Sequence, residues 1–554
     1  MIRLILEYKD LFDDDQKDIH SYLDGIDRWT LIRHAIFFSS LSKKLKPELK
    51  YLFYPFLVES DKGSEFEFFL NDKIVKYIIN NSGLEPVILN VKTSLKFFEL
   101  VQNYNSVKNN SYSESEINKR LLKVYLILNE NINQKEDSLG NTNETIISNA
   151  LTHSVYSETN NSYLRIAEFK KACLFFEYCK LYLPNHYSLF LEDFSINDWQ
   201  EYVNYIHQIG MLYYDSTSPV TSISIPKEDK NYQKKVDFFD KFCLSEIYQN
   251  DADFTNIKSR PVFKKEDTEE YFIIFEQFFL EKMFKSIYFT FNAINDKLKG
   301  TEVFIKNFKS DVGLFFSEKT LLNKIIKDAL GNKYKHLGYE KLQKGGRPDY
   351  YIRNGKNIFL FECKDNLIKK SIVESSNIKQ FVKELKNLFV ENDKGQKKAI
   401  KQLISNIVDI RQGCFEEDQG INHKNNVIYP IIVTTNSIFS LPGVNLLLNE
   451  WFIDELRNSE IDNVDVKNIT LININTLIVF SGLLKNNHLP LKVLIDSYWK
   501  RYQNFLNKKF DIREDIIFER YKVYMSFDNY IEQQNHGKYL LPNDFRQYQE
   551  YFDN

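Results

Sequence analysis

The feature that most constrains the fold of this chain is Asn354-Gly355, which separates two strand-like runs. Asn-Gly between such runs is the strongest short-range signal for a β-hairpin closed by a two-residue type I′ turn, because both central residues need positive φ. A turn of this kind would pair Arg353 with Lys356. Going away from the turn, Ile352 would then pair with Asn357 and Tyr351 with Ile358. The sequence therefore predicts both the hairpin and its register.

In that register Asp349 lies directly opposite Leu360, and opposed residues share a face of the sheet. Side chains alternate along a strand, so Leu360, Glu362 and Lys364 point the same way. Asp349 and Glu362 become diagonal neighbours, with Cα atoms expected roughly 7 Å apart. The sequence thus predicts that two carboxylates can converge on one divalent cation, with a lysine on the same face.

The strand that carries these charges has an unusual composition. Ile358 to Phe361 is an unbroken apolar run, which is typical of a strand buried on both faces. Charged residues at the end of such a strand need a reason. One reason is a functional site. The alternative is an ordinary surface hairpin in which Lys364 pairs with Asp349 or Asp365 in a solvated ion network, and the sequence leaves both open.

Pro348-Asp349, a short hairpin and an apolar strand ending in Glu362-Cys363-Lys364 resemble the PD-(D/E)XK, or restriction-endonuclease-like, nuclease superfamily. The resemblance implies Mg²⁺ ligated by Asp349, Glu362 and the carbonyl oxygen of Cys363, with Mn²⁺ as a substitute. It also implies that Lys364 positions the attacking water, helps to deprotonate it and offsets phosphate charge. Asp349, Glu362 and Lys364 would then be the catalytic residues of a phosphodiester hydrolase.

The superfamily core resembles an α-β-β-β-α-β arrangement, and the flanking sequence fits it. Ser317 is a predicted N-cap for a helix whose apolar positions recur at helical spacing, and Gly331 stands where a C′ glycine belongs. Glu318 falls on the apolar side of this helix. It is either an additional metal ligand or a glutamate favoured in the first turn by the helix dipole, and both interpretations have equal support. Tyr334 to Leu342 is predicted as the first strand.

A second helix of the core is predicted at Lys397 to Ile410, where apolar residues recur on one side. It resembles the helix that closes the active site in the superfamily. Gln402 on this helix could take part in catalysis by orienting the water or holding a phosphate, or it could simply face solvent. Some branches of the superfamily place a tyrosine four residues after such a glutamine, whereas here Asn406 occupies that position. The branch therefore stays open.

Two more strands complete the predicted core. Val427 to Thr434 is strand-like, and Pro430 within it favours an edge strand or a bulge. Lys467 to Phe480 alternates and is rich in Ile, Leu and Thr. The nuclease-like core would therefore run from residue 305 to residue 485, about a third of the chain.

Positive charge is concentrated around the predicted site. Residues 331 to 430 contain 19 Lys and Arg against 12 Asp and Glu, whereas the whole chain has a net charge of −3. Such a field attracts phosphate backbones without reading sequence, although a solvated lysine-rich surface would have the same composition. The predicted nucleic-acid contacts are Lys344, Arg347, Lys397, Lys398 and Lys401.

Residues 1 to about 300 are predicted to be mainly helical and rich in aromatic residues. The predicted helices are Trp29 to Lys44, Glu116 to Asn129, Tyr163 to Tyr182, Trp199 to Tyr214 and Glu269 to Ile294. Polar stretches at 129–149 and 215–235 indicate exposed loops or linkers. Near the C-terminus, helices are predicted at Leu491 to Leu506 and Glu514 to Tyr530.

Four predicted domains follow from these patterns. They are a helical region at 1–215 that could sense a signal or bind a partner, a linker and helical connector at 216–304, the nuclease-like domain at 305–485 and a helical extension at 486–554. A chain of 554 residues with 43% hydrophobic content can bury several cores.

Other classes of site have little support in the sequence. The five cysteines are scattered, with no Cys-x-x-Cys and no Cys/His array of zinc spacing. No Ser/His/Asp arrangement or glycine-rich phosphate loop stands out. No apolar run approaches the roughly 18 residues that cross a bilayer, and the N-terminus lacks a secretory apolar stretch, which favours a cytoplasmic location.

The sequence as a whole predicts an α/β protein with a restriction-endonuclease-like core, that is, a mixed central sheet flanked by helices. A large, mainly α-helical N-terminal region and a helical C-terminal extension would flank this core. The resemblance implies a Mg²⁺-dependent nuclease that acts on DNA in preference to RNA, in an architecture similar to prokaryotic anti-phage defence and restriction proteins. The alternative is a catalytically silent nuclease fold that binds nucleic acid or serves in assembly.

Partners of the helical region are predicted by the same analogy. It could bind a regulatory protein or a small-molecule trigger, and the chain could form homo-oligomers. No membrane partner is expected.

Overall fold

Helices form most of the N-terminal region, in agreement with the helical spacing of its apolar residues. The computed structural model describes residues 4–44, 52–81, 86–104, 112–133, 143–153, 155–156, 161–215, 220, 222–244, 252–266, 268–331, 334–342, 345–423, 425–459, 465–507 and 523–535. The helices of the N-terminal region are α1 (Tyr8–Leu11), α2 (Ile19–Leu23), α3 (Arg28–Lys44), α4 (Glu65–Asn80), α5 (Val91–Gln102), α6 (Glu114–Asn133), α7 (Asn143–His153), α8 (Asn161–Tyr182), α9 (Pro184–Phe194), α10 (Trp199–Asp215), α11 (Tyr232–Asp240), α12 (Thr255–Ser259), α13 (Glu276–Leu280) and α14 (Lys285–Lys297). The predicted helices that correspond to α3, α6, α8 and α10 are confirmed.

Short strands interrupt these helices. β1 (Leu4–Ile5) pairs in parallel with β2 (Pro86–Val87). β3 (Ser222–Ser224) and β4 (Val262–Lys264) both pair antiparallel with β5 (Glu270–Ile273). The predicted helix from Glu269 to Ile294 is therefore wrong in its first part, because side chains of β5 alternate between half-buried and buried as a strand requires.

The two predicted polar linkers are only partly described. In the first, residues 134–142 lie outside the described residues, and α7 begins at Asn143. In the second, residues 216–219 and 221 lie outside them, and β3 and the start of α11 occupy part of the rest.

A mixed sheet lies at the centre of the C-terminal half. Its strands are β6 (Lys335–Leu337), β7 (Tyr350–Asn354), β8 (Asn357–Lys364), β9 (Val427–Thr434) and β10 (Thr470–Asn473). They lie in the order β10, β9, β8, β7, β6, with β8, β9 and β10 parallel and β7 antiparallel to both of its neighbours. β8 is buried except at its two ends, as its apolar run predicts. β6 is shorter than the strand predicted at Tyr334 to Leu342.

The hairpin of β7 and β8 forms, but its register differs by two residues from the predicted one. Asn354 pairs with Asn357, so the loop residues are Gly355 and Lys356. Of these, only Gly355 has positive φ, at 58°, which indicates a type II′ turn with glycine first and not a type I′ turn. Because the shift is by two residues, every side chain keeps its predicted face. Continuing the ladder beyond Tyr350 places Asp349 opposite Glu362 and not opposite Leu360.

Pro430 lies in the interior of the sheet, so the predicted edge strand or bulge is wrong. The N–H of Ile428 points toward the β10 side of β9, where it donates to the carbonyl oxygen of Asp465. Alternate residues of a strand point the same way, so the nitrogen of Pro430 faces that side too. β10 joins β9 there only from Ile431 onward. The missing N–H of the proline therefore coincides with a gap in the ladder.

The helix before β6 begins earlier than predicted. α15 (Phe308–Val312), a π-helical segment (Gly313–Leu322) and α16 (Asn323–Leu330) follow one another directly. Ser317 lies inside this helix and is not an N-cap. Gly331 ends the helix with φ of 65°, as predicted. Glu318 is also well inside the helix, so the helix dipole at a first turn does not account for it.

Helices cover both faces of the central sheet. The helices after β8 are α17 (Lys370–Ser375), α18 (Ile378–Phe389), α19 (Ala399–Gln412) and α20 (Val444–Arg457). Phe359 and Phe361 of β8 belong to the core that includes α8 and α16, whereas Leu360 belongs to the core that includes α18 and α19. Glu362 and Lys364 share the face of Leu360, so they point toward α19. α19 confirms the helix predicted at Lys397 to Ile410.

The strand predicted at Lys467 to Phe480 is only half correct. It corresponds to β10 followed directly by helix α21 (Ile474–Val479), whose N-cap, Asn473, accepts a hydrogen bond from the N–H of Asn475. The chain continues as α22 (Ser481–Lys485), α23 (Leu491–Leu506) and α24 (Phe527–Gln534).

The C-terminal helices share the core of the central sheet. α23 confirms one predicted helix, and residues 514–522 of the other lie outside the described residues. Leu494, Tyr498 and Phe527 pack into the core that also contains α8 and one face of the sheet. No helix in the described ranges combines the length and the apolar character needed to cross a bilayer.

Candidate active site

Asp349, Glu362 and Lys364 meet at one end of the hairpin. Glu362 and Lys364 lie near the C-terminal end of β8, and Asp349 immediately precedes β7. Asp349 Oδ2 accepts a 2.7 Å hydrogen bond from the backbone N–H of Cys363. Lys364 Nζ donates a 2.8 Å hydrogen bond to Glu362 Oε1. The structure therefore brings two carboxylates and one ammonium to a single place.

The second carboxylate oxygen of Glu362, Oε2, is buried and has no hydrogen-bond partner among the described residues. The side chain is 3% exposed. Burial, reinforced by the negative charge of Asp349 and opposed by Lys364, raises the pKa of Glu362 to about 8. Leaving a buried acceptor unsatisfied costs about 1–3 kcal/mol. A buried oxygen of this kind is a position where an ion or an ordered water can bind.

Asp349 and Glu318 have raised pKa values for the same physical reason. Burial raises the pKa of Asp349, although Lys364 and the N–H of Cys363 oppose the change. Burial, followed by the charge of Asp349, raises the pKa of Glu318 to about 7. The π-helical segment thus brings Glu318 within electrostatic reach of the hairpin carboxylates. Such clusters of mutually perturbed acids occur preferentially at functional sites.

Helix α19 completes the site from the other side. Gln402 Oε1 lies 3.3 Å from Lys364 Nζ and accepts a hydrogen bond from it. Gln402 therefore contacts the site and does not simply face solvent. Asn406, one turn later, is buried and donates to the carbonyl oxygen of Gly346 at 2.9 Å. Asn406 holds the loop that leads to Asp349, a role that its place on the apolar side of the helix could have indicated.

Arg347 anchors the same loop and is largely buried. Its side chain is 4% exposed and forms ion pairs with Asp409 and Glu417. The guanidinium also lies over the ring of Phe415, 4.8 Å from its centroid. The structure thus places Arg347 among protein groups and not on an open surface. Sequence reasoning could not find these partners, because both acids lie more than sixty residues away along the chain.

Asp365 links three segments around the site. It follows Lys364 and accepts hydrogen bonds from the hydroxyls of Ser317, in the π-helical segment, and Thr435, just after β9. Asp365 therefore fixes the segment that carries Glu318 and the end of β9 to the end of β8. The sequence suggested Asp365 only as a possible ion-pair partner of Lys364 and did not identify this positioning role.

The predicted phosphate-binding lysines are distributed around α19. Lys344 lies outside the described residues. Lys397 is exposed, and Lys398, half-buried, is the residue before the first turn of α19. Lys401 forms an ion pair with Glu391 and lies 3.8 Å from Glu455. Acidic partners thus engage Lys401, whereas the Lys397 ammonium has only a weak contact with the Ser405 hydroxyl at 3.4 Å.

The residues present can be tested against a bound divalent cation. Among the described residues, no group of three or more His, Cys, Asp and Glu side chains could hold a metal ion. Glu318 therefore does not form such a group with Asp349 and Glu362. Two carboxylates, one with a free buried oxygen, together with a carbonyl oxygen of Cys363 do suit Mg²⁺, which keeps several waters and needs only one or two carboxylates.

Comparisons with known proteins add no assignment. The chain matches no protein family model, and no curated protein or solved structure is significantly similar to it. The geometry of the site is therefore the basis for any functional conclusion.

Proposed function

We propose that this protein is a Mg²⁺-dependent nuclease of the PD-(D/E)XK type that hydrolyses phosphodiester bonds. The observation that carries the proposal is the buried Oε2 of Glu362, beside Asp349 and Lys364, which has no hydrogen-bond partner among the residues that the structure describes. A carboxylate whose pKa burial raises to about 8 becomes a good ligand once a cation offsets its charge. This chemistry is what the resemblance of Pro348-Asp349 and Glu362-Cys363-Lys364 implies.

The order of elements supports a restriction-endonuclease-like core. A long helix, the strands β6, β7 and β8, helix α19 and the parallel strand β9 occur in this order along the chain, with α17 and α18 inserted between β8 and α19. Apart from these two inserted helices, the order resembles the α-β-β-β-α-β arrangement. Asp349 immediately precedes β7, Glu362 lies on the neighbouring strand β8, and Gln402 lies on the helix that faces them, an arrangement that supports this type of nuclease.

Each residue of the site has a distinct chemical role in the proposed reaction. Asp349, Glu362 and the carbonyl oxygen of Cys363 would hold Mg²⁺, which when bound supplies charge stabilisation to the phosphate and acidifies a water. Lys364 has three N–H donors. Glu362 and Gln402 engage two of them, so one remains to orient a water or a phosphate oxygen. Gln402 keeps the ammonium in place without adding charge.

A catalytically silent nucleic-acid-binding module is the second candidate. The raised pKa values of Glu362 and Glu318 favour it, because a protonated carboxyl group holds a cation less firmly than a carboxylate does. The two candidates differ in outcome: an enzyme cleaves and a binding module only retains nucleic acid. DNA as the preferred substrate, and a role in anti-phage defence or restriction, belong to the proposal by analogy.

The experiment that tests the proposal is incubation of the purified protein with plasmid, linear DNA and RNA, each with Mg²⁺ or with EDTA. Cleavage that requires Mg²⁺ and disappears in Glu362→Gln supports the enzyme. Binding by all samples without cleavage supports the silent module. Cleavage that persists in EDTA, or at equal rate in Glu362→Gln, contradicts the assignment of the site.

A further inference from the structure

A cavity of about 960 Å³ is lined by none of the residues of the candidate active site. Helices α13 and α14 form one side of it. The segments that follow β8 and β9 form another, through Leu367, Ile368 and the range 436–438. Sites for small molecules and cofactors typically measure about 300–1,000 Å³. The cavity is therefore large enough for a ligand of the size of a nucleotide.

The walls of the cavity carry more positive than negative charge. The cations are Lys241, Lys258, Arg260, Lys282, Lys285 and Lys370. The acids are Asp193, Asp253 and Glu281. Each acid lies within ion-pair distance of a cation of the cavity wall. The pairs are Asp193 with Lys241, Asp253 with Lys258 and Glu281 with Lys285. Arg260 and Lys282 are not part of these pairs, and their positive charge favours an anionic ligand.

Lys282 is the most informative of these cations. It is 4% exposed, and its only hydrogen-bond acceptor among the described residues is the carbonyl oxygen of Ser259. No carboxylate of the described chain lies within ion-pair distance of it. Burial, with a contribution from the charge of Arg260, lowers the pKa of Lys282 to about 7 despite the nearby Glu281. A buried ammonium is expensive unless it is paired, so an anion in the cavity would stabilise it.

Arg260 stands beside Lys282 and is exposed, with no acidic partner in the described ranges. An arginine and a lysine together, one offering a planar fork and the other a point charge, suit a phosphate group. The pair lies at one part of the cavity wall. We therefore expect a ligand that carries a phosphate group at one end.

Aromatic side chains line the rest of the cavity. They include Phe242, Phe278 and Phe289. Phe289 is 44% exposed, so its ring is accessible to a ligand. Exposed rings beside cationic groups provide stacking surfaces for bases, because every base has a flat π face. The combination of rings and phosphate-binding cations points to a ligand that has both a heteroaromatic ring and a phosphate.

We propose that this cavity binds a small nucleotide, with its phosphate at Lys282 and Arg260 and its base against Phe289. The site takes the nucleotide as a bound ligand and performs no chemistry on it. It lies outside the group formed by Asp349, Glu362 and Lys364, so its occupancy does not depend on Mg²⁺ at that group.

The position of the cavity suggests a regulatory consequence that rests on the proposed nuclease function. Leu367 and Ile368 come within four residues of Lys364 along the chain. The range 436–438 follows Thr435, which bonds to Asp365. A nucleotide that orders these segments would therefore change how firmly Asp365 fixes the end of β8. Nucleotide binding should thus alter the rate of nucleic-acid cleavage.

The test is calorimetric titration of the full chain in EDTA with ribonucleoside mono- and triphosphates, inorganic tripolyphosphate and unphosphorylated nucleosides. Measurable binding of at least one nucleotide, with tripolyphosphate and nucleosides at least about tenfold weaker, is the expected result. Lys282→Met and Arg260→Gln should each weaken that binding by about tenfold or more, because a charged hydrogen bond is lost. Phe289→Ala should weaken the binding of nucleotides but not the binding of tripolyphosphate.

Lys76→Met, a change of an exposed lysine on α4, is the matched control and should leave binding unchanged. Unfolding midpoints without ligand show whether each variant is folded, and Arg260→Gln, at an exposed position, is the variant least able to disturb the core. No binding by any nucleotide, equal binding of tripolyphosphate, or equal binding by all variants would overturn the proposal. Titration of Glu362→Gln separates the two proposals, because nucleotide binding should persist there even if the protein proves not to be a nuclease.

Discussion

Lys364 Nζ lies 2.8 Å from Glu362 Oε1, although the two side chains leave the same strand two positions apart. The pair occupies one oxygen of Glu362 and leaves Oε2 without a hydrogen-bond partner in the part of the chain that the structure describes. Burial alone would lower the pKa of the Lys364 ammonium, but the charges of Glu362 and Asp349 raise it above its ordinary value. The charged form of Lys364 is therefore favoured beside these two carboxylates.

Glu362→Gln should abolish Mg²⁺-dependent cleavage without unfolding the protein. The amide keeps the shape of the side chain but removes the charge that holds the cation. Because the pKa of Glu362 is raised to about 8, its charged form is disfavoured by burial, and the neutral amide should not lower the unfolding midpoint. The measurements are cleavage and thermal unfolding. Asp454→Asn, an exposed acid on α20, is the control and should retain full activity.

Lys364→Met should reduce the cleavage rate by about 10²–10³-fold, the loss typical when a preorganised charged donor is removed. The variant should still bind the cation, because an ammonium cannot ligate it. Single-turnover cleavage and Mn²⁺ titration would measure the two effects separately. Unchanged kinetics would show that Lys364 has no part in the reaction, and loss of cation binding would show that it acts through Glu362.

Gly355→Val should destabilise the hairpin and reduce activity, although Gly355 is remote from the carboxylates. Its φ of 58° lies in the left-handed region, where a β-branched residue is strained by roughly 1–2 kcal/mol. A Cβ there would meet no atom within 4 Å, so the effect tests backbone conformation and not a steric clash. Lys356→Val at the next loop position, without positive φ, is the matched control. Equal unfolding free energies for both variants would contradict the observed turn.

The sequence predicted the hairpin well because the signals there are local. Asn354-Gly355 marks the turn, and the apolar run from Ile358 marks a strand buried on both faces. The turn lay one residue from its predicted place, yet Asp349 and Glu362 still share a face because the pairing shifted by an even number of residues. Because side chains alternate along a strand, the predicted face of each side chain is still correct after a shift of two residues, whereas its predicted cross-strand partner is not.

Features that depend on distant residues were not accessible in the same way. Pro430 is tolerated in the interior of the sheet only because β10 pairs from the next residue onward, and no local pattern shows this. The charge and hydrogen-bond donors of Arg347 suit a phosphate contact, but Asp409 and Glu417, from another part of the chain, form ion pairs with it. Ser317 is of a residue type favoured at N-caps, but the helix starts earlier and continues through this residue.

The different settings of Arg347 and Lys397 allow electrostatic and structural roles to be separated. Changing Lys397 and Lys398 together to Ala should weaken nucleic-acid binding and flatten its salt dependence, because fewer counterions are released. Arg347→Ala should leave the salt slope unchanged but lower the unfolding midpoint, since it leaves Asp409 and Glu417 without their partner. Measuring nucleic-acid binding at several salt concentrations distinguishes a phosphate contact from a structural role. A flattened slope in Arg347→Ala would mean that this arginine does contact phosphate.

Asp418 should make the stability of the β6–β7–β8 region depend on pH. The carboxylate is fully buried and forms ion pairs with Lys335 and Arg353, and it also accepts a hydrogen bond from the Tyr351 hydroxyl. Burial alone would raise its pKa, but these partners lower the pKa to about 2. A depressed pKa means that the folded state favours the charged form. The stabilisation is therefore complete above the ordinary aspartate pKa and is lost as the pH falls toward 2.

Asp418→Asn should accordingly cost about 2–3 kcal/mol at neutral pH, the free energy that corresponds to lowering the carboxyl pKa from its ordinary value to about 2. The difference in unfolding free energy between wild type and variant should be constant above about pH 5 and should shrink as the pH falls from about 4 toward 2, where the wild-type carboxylate takes up its proton. Urea unfolding across this range measures it. Asp454→Asn, whose carboxylate is 70% exposed, should show a difference near zero throughout. A difference for Asp418→Asn that stays constant down to pH 2 would show that the ion pairs with Lys335 and Arg353 do not hold the carboxylate in its charged form.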